Sequence, residues 1–483
     1  MLKNIEPYFV FKFFSDISSI PRESGCEQQI CKYLIDFARA RNLEFYTDNN
    51  FNVVIKKSAQ NFALAPTTII FQSHMDMVCV KKSTSNHNFK TDPLDLYSDG
   101  KFIMAKDTSL GADDGIGVAI MLALLDDKNI SHPNLECVFT SDEEINLSGA
   151  QNLDKSILKG NLMINLDNET FGQICVSSAG GIMSDLHIEV NFIDMPQDFS
   201  LFELKIKGLK GGHSGTQINN ELANANVLCG RFLNLLDDKT EVFLKDIAGG
   251  ESDSYIANHA KIEFALPKNF INQLKNITEQ FKNDITNEFA HSEHEIQIEI
   301  KNINGVSNIK VFDRTSTQKI IFALLTIPCR PISMHDKNLV ETSNNLGKVQ
   351  LLQNEIIFTS LSRSMLDSKK YYVADIIQAI ANKIGGFIKY TGDFPGWNYN
   401  ENSLLQNKIQ NEFANLGYGI MNVEAIHAGL ECGYFAKNNF DIISIGPNIF
   451  GYHTVNEKLE IESVQKLWTL IISLLQNLNV EEK

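Results

Sequence analysis

Four apolar, β-prone runs in the sequence each end at acidic or histidine residues. They are TTIIFQ at 67–72 before His74 and Asp76, ECVFT at 136–140 before Asp142, Glu143 and Glu144, LMINL at 162–166 before Asp167, and DIISIG at 441–446 before His453. Such runs, separated by helical stretches like GVAIMLALLDD at 117–127, are typical of a mostly parallel sheet covered by helices. Because ligands of α/β sheets sit beyond the carboxyl ends of the strands, we expect these polar clusters to meet in one crevice.

A long insertion with a different pattern of apolar and polar residues separates the third run from the fourth. The segments FELKIKGL, KIEFAL, EIQIEIKNI and NEIIFTSL predict strands with one polar face, and the stretches 269–289 and 368–384 predict helices. The sequence therefore predicts an α/β domain formed by residues 1–184 and 395–483, interrupted by an α+β domain over residues 185–394.

A capping signature lies near the N-terminus. Ser24-Gly25-Cys26-Glu27 matches a capping box and predicts a helix that runs to about Ala40. Ile30, Tyr33, Leu34 and Phe37 would lie on one stripe of this helix.

Composition excludes several classes of function. The 483 residues are enough for two domains, and no window approaches the roughly eighteen uninterrupted apolar residues of a membrane helix. A net charge of -16 opposes binding to nucleic acid. Eight scattered cysteines without a C-x-x-C pair predict reduced thiols, and the N-terminus lacks a signal-peptide pattern. We expect a cytoplasmic protein that binds neither membranes nor nucleic acid.

Seven residues are candidates for a metal centre. They are His74, Asp76, Asp113, Glu143, Glu144, Asp167 and His453, with Asp113 supplied by the glycine-punctuated loop DTSLGADDGIGVA at 107–119. That loop lacks the lysine and the glycine spacing of a phosphate-binding loop. Five carboxylates in one crevice would repel each other unless cations compensate them. Imidazole nitrogens and carboxylate oxygens without thiolates suit two zinc ions, for which manganese or cobalt can substitute.

Each motif alone has an ordinary explanation. A single histidine after a strand is usually a hydrogen-bonded core or surface residue, and paired acidic residues usually form a solvated turn or a helix N-terminus. Four strand ends combined with one glycine loop favour the metal centre.

An ordered set of motifs resembles a known enzyme family. HMD at 74–76, GADDGIG at 111–117, TSDEE at 140–144, LD at 166–167, GGHSG at 211–215, GLECG at 429–433 and GYHTVNE at 451–457 are similar to motifs of the di-zinc exopeptidases that include carboxypeptidase G and aminoacylase. The closest resemblance is to the aminoacyl-histidine dipeptidases. It implies a zinc-binding α/β domain interrupted by a lid domain that commonly forms homodimers, and hydrolysis of dipeptides of Xaa-His or broader type.

The resemblance also implies roles for the metal-centre residues. Asp113 would bridge the two metals, His74 and Asp167 would complete one site, and Glu144 and His453 would complete the other. Asp76, two residues beyond His74, would hydrogen-bond the imidazole and fix its tautomer. Glu143 would be the general base.

Three further residues carry implied roles with the substrate. His213 would donate a hydrogen bond to the developing oxyanion, often in the partner subunit's site, and the alternative is a loop in which Ser214 caps a helix. Arg363 would bind the substrate carboxylate, unless it is an ordinary surface arginine. Glu431 would take the free α-amino group, so that only short peptides fit between the two.

Two positions depart from the family pattern. Asp114 stands where asparagine is frequent, which adds negative charge beside the metals, and YIANHAKIEF replaces the usual stretch around Asn258. Alternative functions are an N-acyl amino acid amidohydrolase or carboxypeptidase on the same scaffold, a two-metal phosphoesterase, and a metal-stabilised protein without enzymatic activity. The intact Glu143 disfavours the last, because a structural site needs no base.

Overall fold

The computed structural model describes residues 5–61, 67–303, 308–335, 337, 339–438 and 440–478, which form two compact units. The first unit takes in the described residues up to Ser178, Trp397–Ala425, and those from Leu430 onward; the second comprises Ala179–Gly396 and Ile426–Gly429. None of the described helices is both long and apolar enough to cross a membrane.

The first unit begins with five helices and eight strands. In chain order they are α1 (Tyr8–Ser18), α2 (Gln28–Ala40), β1 (Glu44–Thr47), β2 (Val53–Lys57), β3 (Thr68–His74), β4 (Leu96–Ser98), β5 (Phe102–Ala105), α3 (Ala112–Asp126), β6 (Asn134–Thr140), α4 (Glu143–Asn146), α5 (Ser148–Asn152), β7 (Leu162–Asn165) and β8 (Gln173–Ser178). A short 3₁₀ turn at Lys155–Ile157 precedes β7.

The elements from Gly180 to Phe394 belong to the second unit. They are β9 (Gly180–Glu189), β10 (Phe192–Asp194), β11 (Phe199–Lys207), β12 (Gly212–His213), α6 (Ala225–Asp237), β13 (Phe243–Gly249), β14 (Tyr255–Ile256), β15 (Ala260–Pro267), α7 (Ile271–Glu288), β16 (Gln297–Asn302), β17 (Lys310–Phe312), α8 (Arg314–Thr326), β18 (Arg330–Met334), β19 (Val340–Leu352), β20 (Glu355–Ser364), α9 (Asp367–Ile384) and β21 (Phe387–Phe394).

The chain then returns to the first unit. This part contains α10 (Leu404–Asn415), β22 (Asn422–Ile426), α11 (Cys432–Ala436), β23 (Asp441–Ser444), β24 (Ile449–Phe450), β25 (Lys458–Glu460) and α12 (Ile461–Asn477).

The main sheet of the first unit is mixed, with a parallel centre. Its order is β1-β2-β6-β3-β7-β23-β8-β22 among the described strands. The four strands predicted from the sequence, β3, β6, β7 and β23, are parallel to their neighbours in this group, whereas β1, β2 and β8 pair antiparallel. The sheet is therefore less uniformly parallel than predicted, because the flanking strands are antiparallel additions. The helix α3 packs into its apolar core and is buried along nearly its whole length.

The second unit is an antiparallel sheet with helices on one face. The main path runs β16-β11-β15-β13-β19-β20-β9-β21, and β18 pairs with β19. Residues from α6, α7, α8 and α9 share one apolar core with the inward side chains of these strands, as the α+β prediction requires. The domain limits at 184/185 and 394/395 remain proposals; the strand β9 runs without interruption across Asp185.

The predicted capping box is wrong. The helix α2 begins at Gln28 and no side chain caps it. Ser24 Oγ instead donates to Asp76 Oδ2 at 2.7 Å, and Glu27 Oε1 accepts the backbone N–H of Asp142 at 3.1 Å. Both capping side chains are therefore used to fix the segments that follow β3 and β6.

Candidate metal centre

The seven predicted metal-centre residues all lie in the first unit, beyond the carboxyl ends of the central strands. His74 ends β3 and Asp76 follows it, Glu143 and Glu144 open α4 directly after β6, and Asp167 follows β7. Asp113 lies in the first turn of α3, where it and Asp114 depart from helical backbone angles and are joined by a cis peptide bond. His453 lies in the loop between β24 and β25.

The structure brings these side chains together in two sets that share Asp113. His74 Nε2 is 3.1 Å from Asp113 Oδ1 and 3.5 Å from Asp167 Oδ1. His453 Nε2 is 3.1 Å from Asp113 Oδ2 and 3.0 Å from Glu144 Oε2. The two oxygens of one carboxylate therefore face two different imidazoles.

The geometry of the donor atoms fits metal ions. Ligand atoms at about 2.0–2.2 Å from a tetrahedral zinc ion are about 3.4 Å from one another. The imidazole-to-carboxylate separations of 3.0–3.5 Å lie at this spacing. Three groups of donors each lie within 4.8 Å: His74 with Asp113 and Asp167, Asp113 with Glu144 and His453, and His74 with Glu143 and Glu144.

The electrostatics of the cluster show why it suits cations. Burial raises the pKa of Asp167 well above its usual value, since a carboxylate is costly to desolvate. Burial disfavours the charged form of His453, but the bonds to Asp113 and Glu144 outweigh it and raise the pKa to about 10. Burial also disfavours the charged form of His74, but the charge of Asp167 and the contacts with Asp113 outweigh it and raise the imidazole pKa well above its usual range. Both imidazoles therefore favour a positive charge beside these carboxylates, the charge that metal ions would supply.

Asp76 contacts more than the imidazole. Its Oδ1 is 3.5 Å from His74 Nδ1, a long separation for a hydrogen bond. The same carboxylate accepts the backbone N–H groups of Glu143 at 3.2 Å and Glu144 at 3.3 Å, and the Ser24 hydroxyl at 2.7 Å. Asp76 therefore holds the first turn of α4 as well as facing the ring of His74, a second contact that the sequence did not predict.

Glu143 stands beside the cluster with a perturbed carboxyl group. Burial raises its pKa well above the usual value, and the neighbouring Glu144 and Glu431 add to the effect while His74 opposes it. A carboxylate with a raised pKa in a crevice is a candidate proton acceptor.

Two further acidic residues have distinct positions. Glu169 was not singled out in the sequence, although it follows Asp167 by two residues; burial and the charge of Asp113 raise its pKa to about 7. Asp114 belongs to none of the three donor groups. Its Oδ1 instead accepts the N–H of Gly117 at 3.2 Å within α3.

Glu431 is fully buried. Its Oε2 accepts hydrogen bonds from Gln72 Nε2 and Thr140 Oγ1, both at 2.6 Å. Its Oε1 has no hydrogen-bond partner among the described residues, and burial raises the pKa to about 7. The donors Gln72 and Thr140 were not identified from the sequence because each lies inside an apolar strand.

His213 and Arg363 belong to the second unit. His213 Nδ1 accepts the backbone N–H groups of Gly215 and Thr216 at 3.2 and 3.0 Å, which leaves the proton on Nε2. Burial and the nearby guanidinium of Arg363 lower the imidazole pKa to about 4, so the ring is neutral. Arg363 is buried rather than on the surface, its Nε has no hydrogen-bond partner among the described residues, and desolvation lowers its pKa to about 10.

The capping alternative for the GGHSG loop is not found. Turns follow this loop, and the next helix, α6, is capped by the Asn224 side chain. Ser214 is buried, and its hydroxyl has no hydrogen-bond partner among the described residues.

Known proteins resemble this chain over its whole length. The cytosol non-specific dipeptidase of Escherichia coli (strain K12) is 34% identical over 484 residues, covering 99% of each chain. The crystal structure of aminoacylhistidine dipeptidase from Vibrio alginolyticus superposes with a TM-score of 0.91 at 32% identity, over 100% of this chain and 99% of that one. Aminopeptidase PepT from Bacillus cereus has the same fold, with a TM-score of 0.56 at 16% identity, over 98% of both chains.

These matches confirm the resemblance that the motifs indicated. The model of "Peptidase family M20/M25/M40" matches residues 70–477, which include every predicted site residue. The chain therefore belongs to the peptidase family M20/M25/M40.

Proposed function

We propose that this protein is a cytoplasmic dipeptidase that uses two divalent metal ions to hydrolyse the peptide bond of dipeptides. The observation that carries the proposal is the pair of imidazole–carboxylate sets joined by the two oxygens of Asp113. The relatives described above, one named a cytosol non-specific dipeptidase and one an aminoacylhistidine dipeptidase, support a range from broad to Xaa-His substrates.

The metal ligands in this proposal are the residues of the two sets. Asp113 would bridge the two ions, His74 and Asp167 would hold one, and Glu144 and His453 would hold the other. The mixed nitrogen and oxygen donors favour zinc, with manganese or cobalt as substitutes. The ions would polarise the scissile carbonyl and lower the pKa of the attacking water to about 7.

Glu143 performs the proton transfers. Its carboxylate takes a proton from the attacking water and delivers it to the departing amine, so one residue serves as base and then as acid. Asp76 keeps this carboxylate in place, because it accepts the backbone N–H of Glu143. The raised pKa of Glu143 supports the role, since a base must also release its proton to the product.

Substrate recognition uses three further side chains. The neutral His213, which carries its proton on Nε2, would donate a hydrogen bond to the developing oxyanion in the partner subunit's site, as the family resemblance implies. Arg363, a buried guanidinium, binds the substrate carboxylate. The unpartnered Oε1 of Glu431 is the atom that a contact with the α-amino group would use.

The proposal includes a homodimer formed through the second unit. The main sheet of that unit ends at the edge strands β16 and β21, and β21 is largely exposed. Exposed edges favour pairing with another chain.

Metal analysis joined to a substrate panel tests the proposal. The purified chain should hold two divalent ions and cleave unblocked dipeptides faster than tetrapeptides or N-acetyl amino acids. Faster cleavage of N-acetyl amino acids would favour the acylase alternative. Fewer than two ions per chain and no hydrolysis with zinc, manganese or cobalt would overturn the proposal, and Glu143→Ala serves as the inactive control.

A further inference from the structure

Arg22 is a buried arginine whose two terminal guanidinium nitrogens donate to backbone carbonyls, whereas its Nε has no hydrogen-bond partner among the described residues. It is 2% exposed. Nη1 donates to the carbonyl oxygens of Met75 at 3.2 Å and Asp76 at 2.9 Å, and Nη2 donates to that of Gly111. Burying a cation costs several kcal/mol unless its hydrogen bonds and charge are compensated. These contacts tie the residues directly after His74 to the loop that leads to Asp113.

Glu457 contacts the same loop through its N–H groups. It is 3% exposed, and its carboxylate accepts the backbone N–H of Leu110 at 2.7 Å, Gly111 at 2.9 Å, Ala112 at 2.8 Å and Asp113 at 3.4 Å. The first N–H groups of a helix lack partners within it, and a negative charge there is favoured by the helix dipole. One carboxylate thus satisfies the backbone around the proposed bridging residue.

Two glycines of the loop leave the space that the guanidinium occupies. A Cβ on Gly111 would lie 2.5 Å from Arg22 Nη2, and a Cβ on Gly115 would lie 2.6 Å from the same atom. Gly111 also has a φ of +63°, which favours glycine. The glycines of GADDG are therefore explained by Arg22 rather than by a bound phosphate.

We propose that Arg22 and Glu457 are a pair of positioning residues for the metal centre. Arg22 donates to the carbonyl oxygen of Gly111 and Glu457 accepts the N–H of the same residue, so that Asp113 keeps one oxygen toward each imidazole. The charge of Glu457 also favours the charged form of the buried guanidinium, against its desolvation. The inference rests on the proposed function, because it takes Asp113 as a metal ligand.

Metal affinity is the quantity that tests the pair. Arg22→Met, Glu457→Gln and Gly115→Ala would each be titrated with zinc against a chromophoric chelator. Loss of residues that orient metal ligands typically weakens metal binding about 10- to 100-fold, and we expect losses in this range for Arg22→Met and Glu457→Gln. Gly115→Ala displaces the guanidinium without removing it and should weaken zinc binding in the same direction. Arg22→Lys, which keeps the charge but loses the planar fork, should recover part of the affinity.

Matched controls come from charged side chains that bind backbone groups away from the metal centre. Lys57 donates to the carbonyls of Leu124 and Asp127 at the C-terminal end of α3. Glu136, which is buried near the start of β6, accepts the N–H groups of Lys159 and Gly160. Lys57→Met and Glu136→Gln remove the same kinds of side-chain-to-backbone bonds and should leave zinc affinity unchanged.

Urea unfolding of the metal-free variants separates positioning from general stability. The inference is overturned if Glu457→Gln and Gly115→Ala fold with a lower free energy of unfolding but keep wild-type zinc affinity. This outcome is decisive even if Arg22→Met fails to fold. Steady-state kinetics at saturating zinc should show a lower kcat with KM for the dipeptide unchanged. If the wild type itself holds fewer than two ions and cleaves no dipeptide, the proposed function fails and the inference with it.

Discussion

Replacing Asp76 by asparagine tests whether one carboxylate aligns both an imidazole and the turn that carries the proposed base. Oδ1 faces His74 Nδ1 at 3.5 Å and accepts the N–H of Glu143 at 3.2 Å. Oδ2 accepts the hydroxyl of Ser24 at 2.7 Å and the N–H of Glu144 at 3.3 Å. Asparagine has one oxygen acceptor, so its amide nitrogen must face at least one backbone N–H that needs an acceptor.

The size of the effect follows from these contacts. A hydrogen bond to a charged group contributes about 1.5–3 kcal/mol, and each 1.4 kcal/mol changes an equilibrium constant about tenfold. Loss of one such bond from Asp76 would therefore weaken metal binding by about 10- to 100-fold, the range known for residues that orient metal ligands. We also expect a lower kcat at saturating metal, because the same bonds position Glu143.

Chelator competition with zinc and steady-state kinetics measure both quantities. Ser24→Ala is the control, since it removes one contact of Asp76 that involves no proposed metal ligand or base, and it should lower affinity less. A folded Asp76→Asn protein with wild-type zinc affinity and wild-type kcat would refute the reasoning.

Three further predictions concern proton transfer and charge. Glu143→Gln should keep two metal ions per chain while kcat falls by about 10²- to 10⁴-fold, and metal loss in elemental analysis would contradict this. Because the pKa of His453 is about 10 without metal, loading zinc at pH 8 should expel its proton. Zinc affinity should then rise with pH by about tenfold per unit for each proton displaced, and calorimetry in buffers of different ionisation enthalpy should detect the release; heats independent of the buffer would be the contrary result. The pKa of His213, about 4, should rise in Arg363→Met when followed by imidazole NMR. This pKa lies below the value near 6.5 of an unfolded chain. The contribution of His213 to stability is therefore complete above about pH 6.5 and is lost as the pH falls toward 4. An unchanged pKa in Arg363→Met would show that Arg363 does not cause the shift.

The strand ends were predictable because they depend on local pattern and on one topological rule. Apolar runs identified β3, β6, β7 and β23, and the parallel arrangement of these strands brings their carboxyl ends to the same edge. His74, Glu144 and Asp167 follow directly from that rule. His453 was included as the residue that follows the fourth run, although the short strand β24 lies between them, and Asp113 was included from the glycine-punctuated loop that enters α3.

The supporting contacts were not predictable because they join distant segments. Arg22 reaches Gly111, and Glu457 reaches Asp113 across 344 residues, with no local pattern to mark either. For Ser24, by contrast, the local pattern is present but the predicted contact is not made. Its capping pattern is a true local signal, but the hydroxyl is bound by Asp76, a partner 52 residues away. Tertiary contacts thus override local hydrogen bonding where the polar partner is a buried carboxylate.

Asp113 differs electrostatically from the carboxylates around it. Burial alone would raise its pKa, but hydrogen bonds with His453 and His74 lower it well below the usual value. The pKa of Asp167 stays raised, because burial and the charge of Asp113 outweigh the effect of His74. The shared carboxylate is therefore ionised before any metal arrives, whereas Asp167 retains a proton more readily. Metal ions and protons compete for the same groups, so an ion bound by Asp113 would displace no proton from it, whereas an ion bound by Asp167 would displace a proton there.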